Sequence, residues 1–474
     1  MGADAAQLDT GSFRDRDGRI YLHAEGVFRG LSESALAAFR AVSQARFYQA
    51  YTDQGALVAT REVPAEAVPL PTETREAWAG FLEHRRIPVV SYPYEWTFSM
   101  LKAAALLQLE LTEAALREGY TLKDATPYNV QFDGGRPVFI DIASFEPLEE
   151  GAPWTGYRQF CEMFLFPLML QAYKGLDFQP FMRSRMDGVG LQTAARLFGF
   201  RDRFRKGVLS HVWLQSKLDR RYGGTGDNLR SELKSAGFNR ELILVNLRKL
   251  RKLVGRLRWT GEESEWGDYT QFHNYSNQDH QRKETFVEHC VRQGQARRVW
   301  DIGCNTGQFS RLAARYCEQV LATDIDHLAV ERLYLDPQRP ANILPLVQNV
   351  ADPSPSWGWR LQERRDLPQR AQPDMVLCLA LIHHVVITAN VPLAEFIGWL
   401  AGVTDQLLIE YVSRDDDKVQ TLLRNKQDTY WDYSREHLEQ QLQRHFRIRD
   451  TLELRDGRRR LYWCQRAVET RVGG

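Results

Sequence analysis

The sequence holds no lysine before Lys102, and none of its six cysteines (161, 290, 304, 317, 378 and 464) forms a CxxC pair or a zinc-ligand spacing. That scatter excludes a disulfide framework and a finger-type zinc site, and it predicts a reducing, cytoplasmic setting. No basic-then-apolar pattern marks Met1 to Thr10 as a secretory leader. The longest apolar run, Met163 to Leu170, contains Pro167 and is far too short to span a bilayer. A net charge of +1 gives the whole molecule no attraction for polyanions. There is no internal repeat and no low-complexity block. What is present is a 474-residue chain, 43% hydrophobic, enough for two or three domains with real cores.

The chain is organised around Val299-Trp300-Asp301-Ile302-Gly303-Cys304-Asn305-Thr306-Gly307-Gln308-Phe309-Ser310. An apolar strand runs into a glycine turn, and a helix follows. Glycine at 303 and 307 lets a ligand approach where a Cβ would collide, and Asn305 is a residue type that tolerates left-handed dihedrals. Asp324 ends the next strand, 23 residues after Asp301, placed to accept the two hydroxyls of a ribose. Asp301 lies in the turn and would repel a pyrophosphate, so it suits a cationic or neutral ligand. The stretch resembles motif I of the class I S-adenosylmethionine-dependent methyltransferases.

Downstream, strands and helices keep alternating. Gln348-Asn349-Val350-Ala351-Asp352 follows a strand. The resemblance implies that Asn349 or Asp352 takes the exocyclic amine of adenine, with Val350 packed on the ring. After the strand Asp374 to Ala380 come Leu381-Ile382-His383-His384, where residues face the reacting methyl group in such enzymes. His383 or His384 would accept a proton from a hydroxyl nucleophile. Glu410 ends the following strand and is predicted to face the acceptor. Tyr269, Phe272, Tyr275 and Lys283 lie in a segment that folds over the cofactor in the family. Phe446-Arg447-Ile448 and Arg460 to Cys464 alternate like the antiparallel last pair of a seven-stranded methyltransferase sheet.

The N-terminal half carries a second chemical stretch. In Leu122-Lys123-Asp124-Ala125-Thr126-Pro127-Tyr128-Asn129, a Gly134-Gly135 turn and Asp141, the spacing resembles the catalytic loop and metal-binding aspartate of the protein-kinase and aminoglycoside-kinase superfamily. The resemblance implies Asp124 as base, and Asn129 and Asp141 as magnesium ligands on the phosphates of ATP. The usual phosphate-binding lysine is absent, and Arg61 is the substitute the sequence offers. Around this stretch the pattern predicts short strands at Arg19–Leu22 and Ala56–Thr60. It predicts helices over Ser32–Val42, Glu73–His84 and Phe98–Glu118.

Between the halves, Gly223-Gly224-Thr225-Gly226 reads as a linker. Residues 200–259 hold 16 Lys and Arg against 5 Asp and Glu. The helix from Arg240 to Trp259 is amphipathic: either a connecting helix with solvated charges, or a surface for an anionic partner. The predicted organisation is therefore a kinase-like α+β domain over 1–222, a linker and basic helix over 223–260, and a Rossmann-like α/β methyltransferase domain over 261–474. The whole arrangement resembles a bacterial family of methyltransferases related to a nodulation host-specificity protein. That resemblance implies methyl transfer to an oxygen or nitrogen of a small-molecule or glycan acceptor. Mg-ATP joins the cofactors if the first domain is an active kinase. The third alternative is a cofactor-binding scaffold without catalysis.

Overall fold

The structure, a computed structural model, describes residues 5–24, 26–149, 153–217, 240–261, 277–424, 426, 427, 429–455 and 457–467. The Gly223–Gly226 linker and the candidate lid residues Tyr269, Phe272 and Tyr275 lie outside these. The chain divides into two compact units, residues 1–261 with 356–364, and residues 262–355 with 365–474.

In the first unit, five strands form an antiparallel sheet: β1 (Gln7–Leu8), β2 (Gly18–Leu22), β3 (Val27–Leu31), β4 (Thr60–Val63) and β5 (Gly80–His84), in the order β1-β2-β3-β5-β4. Helix α1 (Glu33–Ser43) and a shorter helix at Arg46–Asp53 lie between β3 and β4, and Ser32 caps α1 by accepting the amide of Ala35 at 3.3 Å. The helix expected over Glu73–His84 stops at Glu76. Its remainder is β5, which pairs with β3 on one side and β4 on the other and buries Phe81 and Leu82. Central pairing overrides a local pattern that suits a helix. The expected strand at Ala56–Thr60 is reduced to a single bridge between Leu57 and Phe139, and the strand proper is β4.

Helix α2 (Phe98–Arg117) is the buried spine of this unit, with Met100, Leu101, Ala104 and Ala105 inaccessible. After it come β6 (Tyr120–Leu122), the hairpin β7 (Val130–Asp133) and β8 (Arg136–Phe139), and β9 (Phe145–Pro147). The basic helix α3 (Arg240–Arg256) packs on α2 through Leu247, Leu250 and Val254. Arg248 and Arg251 of its cationic face reach Glu113 at 3.1 and 3.5 Å. A strap far away in sequence, 356–364, also belongs to this unit. Glu363, its side chain 1% exposed, receives both guanidinium arms of Arg14 at 2.7 and 3.0 Å. Trp357 meets Tyr94 edge-on, and Arg364 lies over the ring of Tyr128 at 4.5 Å.

The second unit is a three-layer α/β sandwich. Helix α4 (Asn277–Gly294) leads into β10 (Arg298–Ile302), α5 (Gln308–Ala313), β11 (Gln319–Asp324), α6 (His327–Leu335), β12 (Ile343–Val347) and β13 (Met375–Cys378). These are followed by α7 (Leu393–Val403), β14 (Gln406–Val412), α8 (Asp417–Leu423), α9 (Arg435–His445), β15 (Phe446–Leu454) and β16 (Arg459–Arg466). The sheet order is β12-β11-β10-β13-β14-β16-β15. The first five strands are parallel and β16 and β15 run antiparallel. This is the arrangement expected of the C-terminal half. Val299, Val320, Leu377 and Leu408 of the strands bury against Val287 and Cys290 of α4. Near-continuous apolar runs are what a doubly covered parallel sheet requires. No described helix is long and apolar enough to cross a membrane.

Candidate functional site

In the second unit, the loops after β10, β11, β12 and β13 gather at the carboxyl ends of four neighbouring parallel strands, where open α/β sheets bind ligands. The loop after β10 turns back on itself through three left-handed residues: Gly303 at φ 79°, Asn305 at φ 50° and Gly307 at φ 84°. The amides of Gly303 and Cys304 donate to the Thr323 carbonyl at 2.8 and 3.0 Å, clamping the turn to β11. A Cβ on Gly303 would lie 3.2 Å from Leu381 in the loop after β13. Gly307 starts α5.

Asp324 ends β11. One carboxylate oxygen accepts the amide of Asn305 at 2.7 Å and the other the amide of Asp326 at 2.9 Å. Both contacts are backbone amides, so lone pairs remain for a ligand's hydroxyls. Burial raises its pKa. Asp301 is the fourth residue of β10 rather than a turn residue, and its carboxyl is buried, accepting the Ser310 hydroxyl at 2.6 Å. Burial pushes that carboxyl from 3.8 up to about 6, against the pull of Ser310. The folded state therefore binds the extra proton, and stability falls as pH rises from about 4 to about 6. Above that window the ionised group costs about 3 kcal/mol. We expect Asp301→Asn to raise the thermal transition at pH 7.5, with the gain shrinking toward pH 4; calorimetry across that range checks the sign and the slope.

At the end of β12, Asn349 accepts the amide of Ala351 at 3.0 Å, and Val350 is half-buried beside the exposed Asp352. Gln348, which no local pattern singles out, is buried; its amide donates to the Asp324 carbonyl at 2.8 Å, and its side-chain Nε2 has no partner among the described residues.

After β13, Ala380 adopts φ 52°, and His383 is fully buried. Neither of its ring nitrogens has a partner among the described residues. The ring of His384 is 4.2 Å away, centroid to centroid. Burial, then His384, holds His383 well below the ordinary imidazole range, and burial lowers His384 to about 4. Burial thus disfavours a charge on either ring. The reading of Glu410 is corrected. Its carboxylate is fully buried, bound to Lys283 at 2.6 Å and Arg459 at 3.3 Å, and does not face an acceptor. Lys283 is itself buried, 4.9 Å over the Phe309 ring, and belongs to the floor rather than to a lid. An open depression of about 750 Å³ borders Thr306 and Gln308 but includes none of Asp301, Asp324, Asn349 and His383, so it is not the space above the strand ends.

In the first unit, Asp124 and Asp141 approach one another. Burial, and then the charge of Asp141, raise the pKa of Asp124. The side-chain Nδ2 of Asn129 is buried without a partner among the described residues. Asp141 is held at 2.8 Å by Arg29, a residue of β3. Arg61 pairs with Glu83 on the neighbouring strand and is 75% exposed, so the cation at this site is Arg29 and not Arg61. Among the described residues no group of three or more His, Cys, Asp or Glu side chains is poised for a metal ion. One Asp141 oxygen is committed to Arg29, which leaves its other oxygen and Asp124 as the free carboxylate atoms of this cluster.

No protein-family model matches the chain. It is 32% identical over 461 residues to the nodulation protein NoeA of Rhizobium meliloti (strain 1021), covering 96% of both chains. Among solved structures, magnesium protoporphyrin IX methyltransferase (ChlM) from Synechocystis PCC 6803 is similar at a TM-score of 0.31 and 17% identity, over 43% of this chain and 94% of its own. The N-methyltransferase NodS from Bradyrhizobium japonicum WM9 is similar at a TM-score of 0.30 and 13% identity, over 40% and 98%. No residue is carried across from either.

Proposed function

The chain belongs to the family of the nodulation protein NoeA, and from that premise we propose that its second unit transfers a methyl group from S-adenosylmethionine to an oxygen or nitrogen of a small-molecule or glycan acceptor. The observation that carries this reading is the left-handed Gly303–Asn305–Gly307 turn bound to the Asp324 carboxylate through the Asn305 amide. Such a turn lets a nucleoside lie on bare backbone while Asp324 accepts its ribose hydroxyls. Asp301 supplies negative charge where a phosphate would be repelled and a sulfonium or ammonium welcomed. The cofactor brings an activated methyl group; this chain's residues align it and exclude water. Alignment alone supplies about 7–11 kcal/mol of barrier lowering in well-oriented reactions. In this reading Gln348, Asn349 and Asp352 take the adenine, with Val350 packed on its face.

The first unit, in this proposal, is a kinase-like domain that binds the acceptor or a nucleotide. Support comes from its sheet order, with α1 between β3 and β4, from the Arg29–Asp141 pair and from the charge of Asp141 acting on Asp124. A bifunctional enzyme using Mg-ATP is the second reading, and the Asp124, Asn129 and Asp141 spacing is what favours it.

Calorimetric titration separates the two. We expect S-adenosylmethionine to bind wild type with micromolar affinity and to bind Arg29→Ala equally well. If Mg-ATP binds wild type and the loss of Arg29 abolishes it, the first unit is a nucleotide site. If Mg-ATP does not bind, that unit is an acceptor-recognition domain. Absence of S-adenosylmethionine binding sinks the methyltransferase reading itself.

A further inference from the structure

Residues 200–259 carry 16 Lys and Arg against 5 Asp and Glu. Two elements of the first unit set part of that charge beside exposed apolar side chains. The first is the 3₁₀ turn Phe200–Phe204. Phe200 is 68% and Phe204 84% exposed, and their ring centroids are 6.4 Å apart. The turn that carries them is pinned. Asp202, between the two rings, is buried and accepts the Gly199 amide at 2.8 Å, while Lys174 and Arg205 hold the same carboxylate at 3.1 and 3.3 Å. Arg203 lies over the Phe200 ring at 4.7 Å and over Trp213 at 3.8 Å. Two phenyl rings are thus held out in water by a fixed turn rimmed with charge, the pattern of an interaction site.

The second element is the solvent side of α3. Val245, Lys249, Lys252 and Arg256 recur at i, i+4, i+7 and i+11, and all are exposed. They form one stripe, opposite the buried Leu247, Leu250 and Val254. The two elements touch at Gly207, where a Cβ would lie 2.5 Å from Leu253 of α3. The turn and Lys174 bring five cations, with Arg201, Arg203, Arg205 and Lys206, against the single acid Asp202, a net of +4; the α3 stripe adds three more.

We propose that this surface docks the protein on a membrane displaying anionic headgroups. Phe200 and Phe204 enter the boundary between headgroups and acyl chains, and the α3 stripe lies against the phosphates. Exposed apolar rings and a cationic helix face are the two attractions that hold a protein in that boundary. The alternation Phe-Arg-Asp-Arg-Phe-Arg-Lys argues against a protein partner, because the core of a protein interface is depleted of charge. The rings stand at 82° to each other, so they cannot offer parallel faces to successive bases of a nucleic acid. The inference does not depend on the methyl-transfer reading.

The test is co-sedimentation of the full chain with vesicles at about 0.1 M salt, either phosphatidylcholine alone or equimolar phosphatidylcholine and phosphatidylglycerol. We expect the anionic vesicles to bind about tenfold or more tightly than the neutral ones, with the difference shrinking as salt rises. Each basic residue at such a surface is worth about a fivefold change in binding, so Lys249→Gln with Lys252→Gln and Arg256→Gln is expected to weaken it about a hundredfold. Phe200→Ser with Phe204→Ser is expected to weaken it about tenfold. All five positions are exposed, so neither variant is expected to shift the thermal transition. Should the phenylalanine pair disturb folding, Phe204→Ser alone, at the more exposed ring, takes its place. Binding to neither vesicle, equal binding to both, or wild-type binding by either variant overturns the proposal. Capture of a single-stranded oligonucleotide without binding to the anionic vesicles overturns it in favour of a nucleic acid.

Discussion

Asp324→Ala is expected to weaken S-adenosylmethionine binding at least tenfold and to lower the stability of the second unit only slightly. The side chain accepts two backbone amides, from Asn305 and Asp326, and holds further lone pairs for the ligand. Hydrogen bonds to a charged acceptor are worth about 1.5–3 kcal/mol each, and about 1.4 kcal/mol is a factor of ten in affinity. Losing one ribose contact therefore suffices for the tenfold effect, and losing two exceeds a hundredfold. The amides freed by the substitution become accessible to water, because Asp324 is half-buried, so the stability cost stays near 1 kcal/mol. Asp324→Asn separates the contributions, since it keeps an acceptor for Asn305 but halves the capacity toward the ligand. Isothermal titration of both variants is the measurement. Wild-type affinity in Asp324→Ala would remove Asp324 from the site.

The second large effect is on stability. Lys283→Met removes the cation at 2.6 Å from Glu410 in a place that water does not reach. Breaking a buried pair from one side costs about 3–5 kcal/mol because the remaining charge stays buried. Glu410 keeps Arg459, so we expect the lower end, about 3 kcal/mol. The double change Lys283→Met with Glu410→Gln should recover much of that loss, because the orphaned charge is gone. Chemical denaturation of the three variants closes the cycle. A single mutant with wild-type stability would mean that Lys283 and Glu410 are not paired in solution.

These two predictions differ in how far sequence reading reaches. The placement of Asp324 was legible because it is local: a strand end at a set distance from a glycine turn, on elements whose apolar runs declare a parallel sheet. The left-handed turn was legible for the same reason, down to Asn305 at φ 50°. Lys283 and Glu410 are 127 residues apart, and nothing in either neighbourhood announces the other. Glu410 consequently looked like an acceptor-facing acid. Arg29 is not legible locally, because only the pairing of β3 in the sheet brings it to Asp141, 112 residues away. The β5 segment was misread because Phe81 and Leu82 are buried on opposite faces of a central strand, which erases the alternation that marks an edge. His383 stands at the strand end that its place in the sequence implied, while its complete burial is a tertiary property that no local pattern announces.

The strap at 356–364 governs how this chain can be divided. A protein ended at Gly261 would contain every strand of the antiparallel sheet yet lack Glu363, leaving Arg14 without its carboxylate and Tyr128 without its guanidinium cover. A fragment started after Gly261 would carry Trp357 and Glu363 with nothing to receive them. A cut at the apparent boundary therefore separates Arg14 and Tyr128 from the segment that covers them, and a fragment of the first unit that keeps these contacts must carry residues 356–364 as well.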